Sequence, residues 1–487
     1  MHRIHTITTY IVLLFMLLAC SHHVENAEQT DSLPPIYPDY IGVTIPCNIA
    51  PLNFGILDTD STDRADHMQV TLKGSTGEPI IVEGEYADFP IDRWQQLLRA
   101  NAGDSIMVSV VAEVGGKPIA YRPFHIHISK DTIDYGVTYR RIAPGYEVYS
   151  KMGIYERSLN TFEEKAIVEN SLITGMCVNC HTVCRATPAH QSLHIRGEHG
   201  GTMLITPSEG AEYLHTKTDT TLSQFVYPYW HPTGKYIAYS TNKTKQYFHE
   251  GRDKRIEVAD VASDILIYSP GTHAIITSPL LQGDEAFETF PAFSADGRTL
   301  YFCRADARSV PEQYKDVKYD ICSIAFDPAT AQFGDHIDTL IHASAEGKNA
   351  VFPRPSYDGR FLMYTLSDYG TFPIWHKEAD LRMVDLLTNE DITIDILNSD
   401  DTESFHNWSS TSRWVVLSSR RDDGLYTRLY FSHIDEKGRA TKPFMLPQSN
   451  PARFYRESIY SYNVPDFITS PVIVPSKKEM KEGLGAN

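Results

Sequence analysis

The sequence predicts a mainly β protein in three parts: an N-terminal β-sandwich, a short helical segment and a C-terminal β-propeller. Two observations carry this prediction. Short runs of alternating apolar and polar residues fill the first third of the chain, and a fourfold repeat fills the second half. The chain has 487 residues, which is long enough for several domains.

Composition excludes several protein classes. Hydrophobic residues make up 42% of the chain and charged residues 22%, which is ordinary globular usage, so a disordered, collagen-like or polytopic membrane protein is excluded. The formal net charge is −18, from 44 basic and 62 acidic residues. Such an acidic balance opposes a nucleic-acid backbone, and we therefore expect no nucleic-acid partner.

The N-terminus indicates export. A basic start and an apolar run, too short for a stop-transfer helix, end in Leu17-Leu18-Ala19-Cys20. This order resembles the lipobox of bacterial lipoproteins, which implies a signal peptide over 1–19 and lipidation of Cys20. Residues 20–36 are polar and contain proline, as in a flexible linker. We expect an outer-membrane lipoprotein, on the periplasmic face or the cell surface, with no membrane contact besides the lipid anchor.

Residues 37–142 are predicted to form the sandwich, of immunoglobulin-like type. Alternating runs at 69–73, 80–82 and 106–111 are typical of strands, and the Gly-Gly pair at 115–116 predicts a hairpin because glycine accepts a positive φ. A helical piece at 91–102 interrupts the strands. Nothing in this part points to catalysis.

The repeat predicts the propeller, over 200–472. The segments 227–240, 290–303, 352–365 and 405–418 align without gaps, with a glycine at 234, 297 and 359 and Ser412 in the same place of the last copy. A second hairpin follows each copy, which gives four strands per repeat, as in a propeller blade. Strand-like remnants flank the copies, so we expect five or six blades and a disordered tail over 473–487.

These repeats resemble the TolB-type (WD40-like) propeller family, whose blades carry the signature Pro-x-Trp-Ser-Pro-Asp-Gly-Lys-x-Ile-Ala-Phe. The resemblance covers about 270 residues and implies the fold. It implies little about function, because propellers host many unrelated activities.

The cysteine motif lies between the two predicted domains. Residues 177–181 read Cys-Val-Asn-Cys-His, the attachment sequence of c-type haem, in which two thiols bond the haem vinyl groups and the histidine binds iron. Cys177 and Cys180 are therefore predicted to hold one covalent haem c, with His181 as the proximal iron ligand. A capping pattern at 160–164 predicts a short helix that continues to residue 173, within a haem-binding segment at 143–199.

Other sites would use the same residues. Together with Cys184, the motif could form a Cys3His zinc site or an iron–sulfur site, and Cys177 and Cys180 could form a disulfide or a redox-active thiol pair. The need for a fourth ligand and the exported setting count against an iron–sulfur site, and the absence of a βαβ pattern counts against a thioredoxin-like redox role. The export signal agrees with haem attachment.

The distal iron ligand is less defined by the sequence. His194 lies between apolar residues in Leu-His-Ile-Arg, at a position that resembles the Phe-His-Val-Arg of bacterial lipoproteins that join one haem motif to a propeller. We expect His194 as the distal ligand, with Met203 and His199 as alternatives. Further candidates are His190 downstream of the motif and Met152 and Met176 upstream.

The leading hypothesis is thus a lipid-anchored monohaem c-type cytochrome that transfers electrons, with the propeller as scaffold or docking domain for a redox or envelope protein. The alternative is a TolB-like interaction and scaffold lipoprotein whose cysteine cluster is structural, held by zinc or a disulfide. No Gly-x-Ser-x-Gly sequence occurs, which disfavours a hydrolase. The sequence favours electron transfer or binding over catalysis.

Overall fold

A computed structural model describes residues 27–56, 65, 67–143, 151–219, 221–249 and 255–486. The predicted signal peptide and Cys20 lie outside the described residues. Strands dominate the rest, so the mainly β prediction is confirmed. Three helices and several 3-10 turns interrupt the strands. The helices are α1 (Ile91–Ala100), α2 (Pro451–Glu457) and α3 (Lys477–Gly483), and the 3-10 turns cover Asn170–Leu172, Pro279–Leu281, Tyr314–Asp316, Ala343–Glu346, Pro373–Trp375 and Asp395–Leu397.

The N-terminal strands form one seven-stranded sheet and one two-stranded sheet. Their bounds are β1 Glu28–Gln29, β2 Ile36–Tyr37, β3 Thr44–Pro46, β4 Gly55–Ile56, β5 His67–Lys73, β6 Ile80–Gly84, β7 Ser105–Val114, β8 Lys117–Ala120 and β9 Phe124–Ser129. Helix α1 buries Trp94, Leu97 and Leu98 in the core of this part. The apolar face of the helix explains why it stays attached to the sheet.

This sheet differs from the predicted immunoglobulin-like sandwich, in which two antiparallel sheets would face each other. The long strand β7 pairs with β5 along one side and with both β8 and β9 along the other, and it thereby joins the strands into one sheet. The predicted linker is also partly ordered, since Glu28 and Gln29 pair with Ile119 and Ala120.

Six further sheets, which we call blades 1 to 6, have four strands each. In chain order the strands are β10 Gly136–Ile142, β11 Gly153–Ser158, β12 Glu164–Glu169; β13 Cys177–Cys184, β14 Thr187–Arg196, β15 Gly201–Thr206, β16 Gly210–Leu214; β17 Phe225–Trp230, β18 Ile237–Phe248, β19 Ile256–Ser269, β20 Ala274–Ile276; β21 Ala286–Phe293, β22 Thr299–Asp306, β23 Asp320–Asp327, β24 Gln332–Ile341; β25 Asn349–Pro355, β26 Phe361–Ser367, β27 Asp380–Asp385, β28 Glu390–Ile392; β29 Glu403–Trp408, β30 Trp414–Ser419, β31 Arg428–His433, β32 Phe444–Met445; and finally β33 Ser461–Ile468.

The blades close into a ring. The first strands of blades 2 to 6, which are β13, β17, β21, β25 and β29, contact one another in that order, and β33 contacts both β13 and β29. Strand β33 also pairs with β10, so blade 1 combines three strands from one end of the ring with one strand from the other. This closed arrangement is a β-propeller-like fold with six blades.

The aligned repeats lie where the sequence predicts hairpins. Gly234, Gly297 and Gly359 have φ values of 71°, 72° and 76°, and Ser412 has 58°. Each of these residues lies in the turn between the first and second strands of its blade. The left-handed conformation explains the preference for glycine in three of the four copies.

The helix predicted at 160–173 is wrong. Residues Glu164–Glu169 form β12, which pairs with β11, and only a 3-10 turn, Asn170–Leu172, follows. The polar residues read as a helix cap make the hairpin turn instead, because the Ser158 hydroxyl accepts hydrogen bonds from the amides of Asn160 and Thr161, each at 3.3 Å. The predicted haem-binding segment therefore contributes strands to blades 1 and 2, and the propeller-like ring begins at residue 136 rather than 200.

The tail predicted to be disordered is partly helical. Helix α3 begins with a capping box in which Ser476 and Glu479 each bond the other's backbone amide. Met480 and Leu484 are buried and pack with residues of blades 1 and 2. The apolar contacts together with the cap explain why this segment is ordered.

Candidate haem site

The cysteine motif lies on β13, the inner strand of blade 2. Regular strand alternation would place Cys177 and Cys180 on opposite faces. A β-bulge prevents this: Val178 pairs with Ile195 but His181 pairs with Leu193, so three steps on β13 match two steps on β14. As a result Cys177, Cys180 and His181 all border one cavity.

The same bulge recurs in every inner strand, between residues 226 and 229, 289 and 292, 351 and 354, 404 and 407, and 463 and 466. The first residue of the bulge has a left-handed φ in five strands, at Tyr227, Phe290, Phe352, Phe405 and Val464. Asn179 occupies this position in blade 2. Cys180 and His181 then take the places that proline and a variable residue hold in most other blades, so the cysteine motif coincides with the blade repeat.

An aromatic plug fills the middle of the ring. It consists of Tyr227, Phe290, Phe352, Phe405 and Phe372. The ring centroids of successive blades lie 4.6 Å apart for Tyr227 and Phe290 and 4.4 Å apart for Phe290 and Phe352. At the bulge position where the other four blades carry an aromatic residue, blades 1 and 2 carry only Val464 and Asn179. The plug is therefore open on the side of the cysteine motif.

A cavity of about 560 Å³ lies against this plug, within the size range of cofactor sites. Its wall combines the motif and the plug residues with four arginines, and the described part of the wall contains no carboxylate. The arginines are Arg140, Arg196, Arg354 and Arg420. In a chain of net charge −18, such a wall is a local positive site suited to an anionic ligand.

His181 is buried, and neither of its ring nitrogens forms a hydrogen bond of normal geometry, although the ring lies close to the backbone of Thr138. Burial lowers the pKa of the imidazole to about 4. The ring is therefore neutral at pH 7 and keeps a lone pair. A buried unpartnered imidazole costs stability, and iron coordination would relieve that cost.

The two motif thiols have different surroundings. The Cys177 sulfur lies 3.5 Å from the Met152 sulfur and 4.0 Å from Nη2 of Arg140. Cys180 is buried, and burial raises the pKa of its thiol. Cys184 points elsewhere, into a core beside Trp230, with its sulfur 3.4 Å from the His231 carbonyl oxygen.

The predicted distal ligands do not border the cavity. His194 is buried on β14, Met203 packs in the core between blades 1 and 2, and His199 lies partly exposed in the turn between β14 and β15. Met152 and Met176 do border it. The four arginines could not be recognised as a group in the sequence, because they come from four blades and only Arg354 falls in an aligned repeat.

A second, narrow pocket lies on the other side of the aromatic plug from the cavity. His181 and Arg354 border both the cavity and this pocket. Asp466 lies in this pocket at the bulge position that corresponds to His181. Its carboxylate accepts hydrogen bonds from Thr182, from the amide of Val183 and from Asn407, at 2.8–3.0 Å. Burial raises the pKa of this carboxyl to about 7.

Within the described ranges no three His, Cys, Asp or Glu side chains are grouped as a metal site, and the six described cysteines are free thiols. No helix in the described part of the chain is long and apolar enough to cross a membrane.

Neither a protein-family model nor a curated protein matches the chain. Solved structures of low similarity include a Mycobacterium tuberculosis puromycin-hydrolyzing peptidase, with 10% identity and a TM-score of 0.37 over 72% of this chain and 52% of that one. They also include a Vibrio parahaemolyticus oligogalacturonate lyase, with 8% identity and a TM-score of 0.31 over 59% and 84% of the two chains. The chain spans about half of the peptidase. These likenesses concern the fold alone.

Proposed function

We propose that this protein is a lipid-anchored, monohaem c-type cytochrome-like protein of the bacterial envelope, and that its six-bladed, TolB-like propeller holds the haem in the central cavity. One observation carries the proposal. Cys177, Cys180 and His181 border a single cavity whose described wall has four arginines and no carboxylate. A bound haem would supply a one-electron redox centre.

The side chains of the cavity suit this group. The thiols of Cys177 and Cys180 can each bond one vinyl group, and His181 can bind iron through a neutral ring nitrogen. The aromatic plug offers flat apolar contact to a porphyrin face, and the arginines balance its carboxylates.

Electron transfer also requires access from solvent. Phe248 borders the cavity and is 48% exposed, so the cavity reaches the protein surface beside the long β18–β19 hairpin. A partner that docks there would approach one edge of the haem. Because the whole chain is acidic, we expect a soluble partner to present a basic face and to bind more weakly at high salt.

The test is expression of the full chain together with a haem-attachment system, followed by denaturing gel electrophoresis with haem staining. We expect covalent haem in the parent chain and in Cys184→Ala, whose thiol lies outside the cavity. We expect much weaker staining in Cys177→Ala and in Cys180→Ala. Equal staining of all four proteins, or none in the parent, would refute the proposal.

The alternative is a TolB-like interaction and scaffold protein with a structural cysteine cluster. It predicts that the purified parent chain contains zinc or a Cys177–Cys180 disulfide and no haem. Metal analysis and thiol titration before and after reduction distinguish the two proposals. A haem protein has no zinc, shows an absorbance band of bound iron porphyrin and does not regain two thiols on reduction, whereas a disulfide does regain them.

A further inference from the structure

The four arginines of the cavity fall into two pairs. Arg196 ends β14 of blade 2, and Arg140 lies on β10 of the adjacent blade 1. Arg354 lies on β25 of blade 5, and Arg420 directly follows β30 of blade 6. We call them the near pair and the far pair, according to their distance around the ring from the cysteine motif.

The near pair borders the motif itself. Arg196 is the register partner of Cys177 across β13 and β14, and Nη2 of Arg140 lies 4.0 Å from the Cys177 sulfur. Both guanidinium groups therefore lie on the side where the thiols would bond the porphyrin.

The far pair lies across the cavity. In the order of inner strands around the ring, β25 stands opposite β13, with two blades between them on either side. Arg354 forms no ion pair with a described carboxylate, and its guanidinium lies 5.5 Å from the Tyr229 ring centroid. Arg420 is buried and stacks 3.6 Å from the Trp375 ring centroid. The Arg354 guanidinium also donates to the Pro353 carbonyl at 3.0 Å, and the Arg420 guanidinium donates to the Gly424 carbonyl. Aromatic rings and backbone carbonyls together hold the two side chains.

We propose that Arg354 and Arg420 bind the two propionate carboxylates of the haem, and that Arg140 and Arg196 do not. This inference rests on the proposed function. The porphyrin carries its vinyl groups on one edge and its propionates on the opposite edge. Bonding of the vinyl edge to Cys177 and Cys180 therefore directs the propionates toward blades 5 and 6, where planar guanidinium groups match planar carboxylates.

The test uses the full chain with Cys177→Ala and Cys180→Ala, so that haem binding is reversible and measurable by absorbance titration. Ferric haem is compared with its dimethyl ester, which has the same ring but no carboxylates. Arg354→Gln and Arg420→Gln are compared with Arg140→Gln and Arg196→Gln in this background. Affinity for the ester also reports whether each variant keeps an intact cavity.

We expect each far-pair substitution to weaken haem binding about tenfold or more, as for the loss of a charged hydrogen bond, and to leave ester binding unchanged. We expect each near-pair substitution to change the two affinities by the same factor. Equal affinity of the parent for haem and ester, binding of neither, or a haem-specific loss in the near-pair variants would overturn the assignment. Covalent haem in the chain with both cysteines tests the proposed function separately.

Discussion

His181 and Arg354 occupy the same bulge position on the inner strands of opposite blades, blade 2 and blade 5. Both border the cavity and the narrow pocket beyond the plug. The proposed iron ligand and the proposed propionate ligand are thus placed by one structural feature of the repeat. The propeller supplies equivalent positions around the channel, and blade 2 differs from the other blades by carrying Cys-His where most of them carry proline and a variable residue.

Ring closure by β33 should be essential for stability. Phe467 is fully buried on this strand and its ring lies 6.0 Å from that of Phe431. We expect Phe467→Ala to lower the free energy of unfolding by about 3–5 kcal/mol, because it removes a large buried ring. Ile473, 61% exposed just beyond the strand, is the control. In urea unfolding, Ile473→Ala should change the free energy of unfolding by no more than about 0.5 kcal/mol. Similar changes for both variants would contradict the role of β33 in closing the ring.

The unpartnered imidazole of His181 predicts an unusual result without haem. We expect His181→Leu to be as stable as the parent apoprotein or more stable by about 1–2 kcal/mol, because a buried polar group without hydrogen bonds is removed. His231 is the matched control: it is also buried, but its ring bonds Thr233 at 2.8 Å and the Gly297 carbonyl at 3.1 Å.

Urea unfolding of the two apoprotein variants tests this. His231→Leu should lower the free energy of unfolding by about 1–3 kcal/mol, because Thr233 and the Gly297 carbonyl lose their hydrogen-bond partner. A loss of the same size for His181→Leu would show that the His181 ring is satisfied in the apoprotein and would weaken the assignment to iron.

The raised pKa of the Asp466 carboxyl predicts that the stability of the protein depends on pH. Its pKa is about 7 in the folded chain, raised chiefly by burial, against a reference value of 3.8. Between these values the folded protein holds a proton that the unfolded chain has released. This group therefore makes the free energy of unfolding fall as the pH rises from about 4 to about 7, by at most about 1.4 kcal/mol per pH unit.

Asp466→Asn removes this contribution and keeps an oxygen for the bonds from Thr182 and Val183. Urea unfolding of the apoproteins between pH 4 and pH 8 should show the variant gaining on the parent as the pH rises. Parallel stability curves for the two proteins would contradict the assigned pKa.

If Cys20 is lipidated, substitution of this residue should change the cellular fraction in which the protein is recovered. We expect the parent chain in the membrane fraction and Cys20→Ala in the soluble fraction of the envelope, because the lipid would be the anchor. Metabolic labelling with a fatty acid should mark only the parent. Labelling of both proteins, or soluble parent protein, would contradict the lipobox interpretation.

The repeat made the second half of the fold predictable, because the turn at 234, 297 and 359 favours glycine. Blades 1 and 2 were predicted only as strand-like remnants beside the four copies, for a physical reason. Blade 2 turns through Arg185 and Ala186, both with left-handed φ and neither glycine, and blade 1 takes its inner strand from residues more than 300 positions away. Sequence similarity to the other copies is weak at both places.

The site was predictable only in part. The spacing of Cys177, Cys180 and His181 pointed to one group of residues, and the structure places them beside one cavity. Spacing alone could not decide the role of His194, since access to the cavity depends on the strand that carries the residue, and His194 on β14 does not border the cavity. The arginines come together only through closure of the ring, which no local pattern reveals.

The most direct measurement is the intact mass and pyridine-haemochrome spectrum of the full chain produced with a haem-attachment system. We predict one covalently bound haem per chain, retained after acid extraction and strongly reduced in Cys177→Ala. A chain without added mass and without a haem band, under conditions that load a control c-type cytochrome, would contradict the central claim.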